Sequence, residues 1–170
     1  MSTTTDPRDQ LWNVIYEAWY DTSYQELLSE ALISKWLKLD ELTKILVALT
    51  SGSSALAGLA LWKDPSFSWL WPTLGGISAF LAIITERLAV TQKLKSHTET
   101  MRTFSSLRID FDTLRAKMRI NAMFDASTIE SEYLDLRKRF SEAYKNISSD
   151  VLDTKELKIA VQNQLNSQLN

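Results

Sequence analysis

The sequence predicts an all-α membrane protein, with a two-helix transmembrane hairpin carried by a cytoplasmic bundle of N- and C-terminal helices. Three observations predict it. After Gly76 neither glycine nor proline occurs, so the turns of a β protein lack their two strongest formers. Residues 45–62 and 66–85, stretches of 18 and 20, contain no Asp, Glu, Lys or Arg. Each is long enough to cross a hydrocarbon core of about 30 Å as a helix. On both sides of these stretches, apolar residues recur at helical spacing.

The first segment, residues 7–40, starts with Asp6 as cap and Pro7 at the first helical position, where its missing N–H costs nothing. Residues 1–5 then form a frayed tail. Leu11, Val14, Ile15, Ala18 and Trp19 make one apolar stripe, and Leu27, Leu28, Ala31, Leu32 and Trp36 repeat it after Asp21 and Thr22. This predicts a helical hairpin or one kinked helix. Glu17, Asp21, Glu26 and Glu30 make the segment acidic, as a solvated face or as a partner for cations elsewhere.

Residues 45–88 follow as the membrane hairpin. The turn between the uncharged stretches is only Lys63, Asp64 and Pro65, which forces an antiparallel pair. Trp62, Phe67, Trp69 and Trp71 cluster about it, where amphipathic rings sit at headgroup level, and Pro72 falls in the first turn of the second span. Lys35, Lys38 and Lys44 precede the first span and Arg87, Lys93 and Lys95 follow the second, against Lys63 alone in the turn. The positive-inside rule then places both termini in the cytoplasm. The N-terminal residues show no cationic region leading into an apolar stretch, so no cleavable signal is expected, and the acceptor-like Asn146-Ile147-Ser148 would be cytoplasmic and inert. The alternative is a hairpin buried in a soluble bundle, which Thr50, Ser51, Ser53 and Ser54 favour by lowering the hydrophobicity of the first stretch.

Thr50, Ser54 and Gly58 stand four apart, as do Gly75 and Ala79. Small residues at this spacing pack helices closely, or line a pore when several hairpins assemble. One hairpin encloses nothing, so a homo-oligomer is expected, with a tetramer as the working number.

Residues 89–147 form a long helix and a second one. The second span is expected to continue through Glu86, Arg87 and Leu88 without a break. Phe104, Leu107, Phe111, Leu114 and Met118 alternate intervals of three and four, a seam for another helix of this chain or of a neighbouring subunit. Asp125 and Ala126 interrupt it. Ser127-Thr128-Ile129-Glu130 matches a capping box, and Ile129, Tyr133, Leu136, Phe140, Ala143 and Ile147 form the next stripe. Residues 148–170 hold a weaker amphipathic stretch and a Gln/Asn-rich end expected to fray. Arg108, Arg115 and Arg119 share one face of the long helix, with Arg102 and Lys117 nearby, placed to bind the acidic N-terminal helix or an anionic ligand. Arg137-Lys138-Arg139 goes round its helix and makes no coherent patch.

Function classes narrow by elimination. With no Cys and one histidine, His97, the chain offers no thiol nucleophile, disulfide or Cys/His metal site. All four glycines lie in the apolar stretches, leaving none for a phosphate loop. A net charge of −2 and a pI near 5.5 give no global basic surplus for nucleic acid. The expectation is a non-enzyme with no catalytic residue, metal or cofactor.

In this order of elements, N-terminal amphipathic helices, a span, a tight Trp-flanked turn, a second span and a long charged helix, the chain resembles the SLATT family of two-span effectors of bacterial conflict systems. The resemblance covers roughly residues 11–147 and is one of architecture and length. It implies a pore-forming effector of the bacterial inner membrane in anti-phage defence. It also implies control by a partner protein, or by a nucleotide or oligonucleotide ligand made by a partner nucleotidyltransferase. The competing function is a non-conducting membrane anchor or scaffold whose cytoplasmic helices recruit a partner.

Overall fold

The computed structural model describes residues 6–61, 73, 75–77, 79, 80, 83, 89–120 and 125–169, and along 46–61 the side chain of Ala48 alone. Every regular element among the described residues is a helix: α1 (Pro7–Leu61), α2 (Val90–Ile120), α3 (Ala126–Lys145) and α4 (Lys155–Leu169). The all-α class therefore holds. Among the described residues no helix is long and apolar enough to cross a membrane. Most of the 66–85 stretch, with Trp62, Lys63, Phe67, Trp69, Trp71, Pro72 and Arg87, lies outside the described residues.

Asp6 opens α1 as its position implies, its carboxylate accepting from the Arg8 N–H at 2.9 Å. The helix then runs unbroken through Asp21 and Thr22, so of the two alternatives there the chain forms one helix and not a hairpin. The polar residues are absorbed instead: Thr22 and Ser23 return their hydroxyls to the Ala18 and Trp19 carbonyls, and Ser29 does the same to Gln25. With its hydroxyl bonded to its own helix, Thr22 can be fully buried.

The chain divides into two compact units, Met1–Leu32 with Ser96–Asn170, and Ile33–Lys95. These boundaries fall inside α1 and α2, whereas the sequence segments 7–40, 45–88, 89–147 and 148–170 follow changes of polarity along the chain. In the first unit the α2 seam is the core. Phe104, Leu107, Phe111, Leu114 and Met118 are all essentially inaccessible to solvent. Phe111, Leu114 and Met118 pack with Ile15 and Ala18 of α1 and Ile129 and Leu136 of α3. Phe104 and Leu107 pack with Phe140. The seam's partners are thus helices of the same chain. A further cluster joins Leu28 and Leu32 of α1 to Leu157 and Val161 of α4.

Three local expectations are corrected. The cap of α3 is Asp125 and not Ser127: at φ −97 and ψ 102 its carboxylate accepts from the Ser127 N–H, and Ser127 and Thr128 add their hydroxyls. A carboxylate two residues ahead of Ser127 takes the free amide first. The C-terminal segment is helical to Leu169, because Leu157, Val161 and Leu165 are buried and Asn166 accepts a 2.6 Å bond from the Tyr20 hydroxyl. Finally, α2 does not continue an upstream helix. Ala89 has φ 45, a left-handed conformation that no right-handed helix passes through, and α2 starts at Val90.

In the second unit Trp36 and Val90 are buried. Leu37, Leu42, Ile45, Ile77, Phe80 and Ile83 are exposed.

Candidate functional site

The arginine face of α2 is built by matching periodicities. Trp12, Tyr16 and Trp19 recur along one side of α1, and Arg108, Arg115 and Arg119 along one side of α2. Arg115 lies with its guanidinium carbon 4.3 Å from the Trp19 ring centroid, 5.2 Å from Tyr16 and 5.3 Å from Trp12. Arg119 stands 5.1 Å over Trp12. A cation over a ring face contributes about 0.5–1 kcal/mol when exposed and about 2 when desolvated, and the Arg115 side chain is only 13% exposed. Its Nη1 donates to Asp112 at 3.2 Å, but its Nε and the Trp19 Nε1 are buried without a protein acceptor.

Arg108 takes a carboxylate partner instead. Its Nε donates to Glu26 Oε2 at 2.5 Å, and its Nη1 lies 3.8 Å from Asp112. The acidic partner foreseen for the stripe is therefore Glu26, for Arg108 alone, while Glu30 is exposed. The rings serve Arg115 and Arg119. Arg102 is not brought to this face; it is exposed and borders a shallow cleft of about 330 Å³ with Thr103, Ser106 and Arg139.

Of the small-residue positions, Gly75 and Ala79 are the two whose surroundings the structure describes. Thr50, Ser54 and Gly58 lie on α1, with side chains outside the described residues. Gly75 and Ala79 are exposed, and a Cβ added at Gly75 meets nothing within 4 Å.

Two constellations had no sequence signal. His97 on α2 is buried, its Nε2 2.8 Å from Asp150 Oδ2, while Asp150 Oδ1 accepts the Leu152 N–H at 2.8 Å. The pair fixes the α3–α4 connection to the start of α2. Its members are 53 residues apart, with no local motif around either. The second is a groove of about 1020 Å³ between α1, α3 and α4. Tyr20, Asp21, Tyr24 and Gln25 come from α1, and Gln162 from α4. From α3 come Arg137, Lys138, Phe140, Ser141, Tyr144 and Lys145, among others. Partial desolvation along the groove pushes the Asp21 carboxyl above its ordinary range, partly opposed by Arg137, and raises the Tyr24 hydroxyl. Tyr20 is fixed in place, accepting from Gln162 as well as donating to Asn166. The basic run thus divides: Arg137 and Lys138 face the groove, while Arg139 pairs with Asp110 at 2.9 Å.

Among the described residues no group of three or more His, Cys, Asp or Glu side chains is placed to hold a metal ion. Comparison with family models, with curated proteins and with solved structures finds no match.

Proposed function

We propose that the chain is an oligomeric membrane effector forming a gated pore, with both termini cytoplasmic and the first unit as its regulatory bundle. The observation that carries this is a set of exposed apolar residues in the described part of the second uncharged stretch. Phe80 is 63% and Ile83 59% exposed, Ile77 is exposed as well, and Gly75, Gly76 and Ala79 are small, exposed residues of the same stretch. All six belong to the uncharged 66–85 stretch. Such a surface calls for lipid, for a second copy, or for both in turn. The 45–62 stretch, equally uncharged and bearing Thr50, Ser54 and Gly58, supplies the small residues for close helix approach.

Gating requires two states of the bundle that bind a signal unequally. The arginine face supplies the contacts that hold one of them. The defence setting, the bacterial inner membrane, the tetramer and a nucleotide or oligonucleotide ligand are carried into this proposal by the architectural resemblance.

The test is reconstitution of the full chain into liposomes after membrane fractionation and carbonate extraction. Retention in the membrane with conductance supports the proposal. Retention without conductance assigns the anchor function, and release by carbonate refutes membrane insertion. Ser54→Leu and Gly58→Leu are expected to abolish conductance, and Ser54→Ala to alter it only if the stripe faces the pore.

A further inference from the structure

We propose that the groove between α1, α3 and α4 binds a small organic anion that carries a planar ring. At about 1020 Å³ it lies at the top of the size range of small-molecule sites. Its walls are aromatic from both sides. Tyr20 and Tyr24 come from α1, and from α3 come Phe140 and Tyr144, which stack at 6.1 Å and 23°. Tyr144 is exposed, leaving a ring face for a ligand.

The sign of the ligand follows from the cations. Arg137, Lys138 and Lys145 line the groove, and no ion pair engages them among the described residues, whereas Arg108, Arg115, Lys117, Arg139 and Lys158 are each paired. Against them stand Asp21 and Glu142. Arg137 is held over the Phe140 ring at 5.0 Å, so it gives up little freedom when it clamps an anion. The orientation follows too. Lys145 sits in the last turn of α3, where free carbonyls repel negative charge. The anionic group therefore lies at the Arg137–Lys138 end, and the ring against Tyr24 and Tyr144.

The argument for this site uses only the groove's own residues and does not need a pore, and its test reads binding rather than conductance. The full chain in neutral detergent is titrated with 1-naphthyl phosphate, followed by probe fluorescence against empty micelles. Inorganic phosphate and the cation 1-naphthylmethylamine serve as comparisons. For a ligand of this size a Kd on the order of a millimolar or tighter is expected, with weaker binding of inorganic phosphate and of the cation. Arg137→Gln with Lys138→Gln should weaken binding roughly tenfold. Lys145→Gln should change it by less than about twofold, since its charge faces the other end. Asp21→Asn should tighten it, because it removes the negative charge opposing Arg137. These positions are solvent-exposed, and unaltered circular dichroism verifies folding. Stronger binding of the cation, binding no better than to empty micelles, or indifference to the Arg137/Lys138 change overturns the proposal.

Discussion

Reversing the Arg108–Glu26 pair tests whether the arginine face clamps α2 to α1. The Nε–Oε2 distance is 2.5 Å, with the side chains 33% and 19% exposed, so the pair lies between two regimes. Exposed ion pairs contribute about 0.2–1 kcal/mol and hydrogen bonds to charged groups about 1.5–3. A coupling of about 1.5 kcal/mol is therefore expected. Arg108→Glu loses that coupling and sets a carboxylate against Glu26 and Asp112, costing about 2–3 kcal/mol in all. Adding Glu26→Arg restores the attraction. Recovery stays incomplete by about 0.3–0.5 kcal/mol, because residue 108 and Asp112 now carry like charges at i and i+4. Urea unfolding of the wild type, Arg108→Gln, Glu26→Gln and their double variant, followed by circular dichroism in detergent, gives the coupling, and the reversal pair reads whether it is restored. A coupling below about 0.3 kcal/mol would show that the pair clamps nothing.

Arg115→Met should change stability by less than about 1 kcal/mol, since losing three ring contacts is offset by removing a buried Nε without an acceptor. Arg115→Glu, which sets a carboxylate against ring faces and Asp112, should cost more than about 2 kcal/mol by the same unfolding assay. Ala89→Gly should raise the melting temperature, because glycine adopts φ 45 freely where alanine is strained by about 1 kcal/mol. Hydrogen bonds from Thr128 and Ser127 hold the Asp125 carboxyl below its ordinary 3.8. Its folded-state value is depressed, so its contribution is complete above that range and is lost as pH falls through the lowered value. In Asp125→Ala the acid side of the stability–pH curve should be flatter, as read by thermal unfolding from neutral pH downward.

The seam on α2 and the stripe on α3 were legible in the sequence because each has a single periodic solution and nothing interrupts it. Phe104, Leu107, Phe111, Leu114 and Met118 could face only one way. The Arg108–Glu26 pair was foreseeable as opposite charges on two amphipathic helices. Polarity misled at Asp21 and Thr22, since a hydroxyl bonded to its own helix, as that of Thr22 is, does not mark a break. The aromatic setting of Arg115 was hidden because Trp12, Tyr16 and Trp19 read equally well as core. The groove was illegible for a different reason. Arg137 and Lys138 make no patch on their own helix, and only Tyr20 and Tyr24, more than a hundred residues earlier, turn them into a wall.

The two sites of the first unit share a helix, and that constrains how a signal can act. Trp12, Tyr16, Trp19 and Glu26 of α1 meet the arginines of α2, while Tyr20, Asp21 and Tyr24, within the same few turns, line the groove. A packed helix shifts as a body rather than residue by residue. A ligand that draws Tyr20 and Tyr24 toward α3 therefore also displaces Trp19 and Glu26 from Arg115 and Arg108. By linkage the coupling is reciprocal: whatever groove occupancy takes from the arginine face, the intact arginine face takes from groove affinity. If the shift breaks the Arg108–Glu26 pair, that loss of about 1.5 kcal/mol corresponds to roughly tenfold in affinity. A signal of that size switches the bundle only if its two states already lie within a few kcal/mol of each other. The arginine face combines one ion pair, several ring contacts and two buried N–H groups without acceptors, so under the proposed gating the loss of one contact leaves the others to be overcome separately.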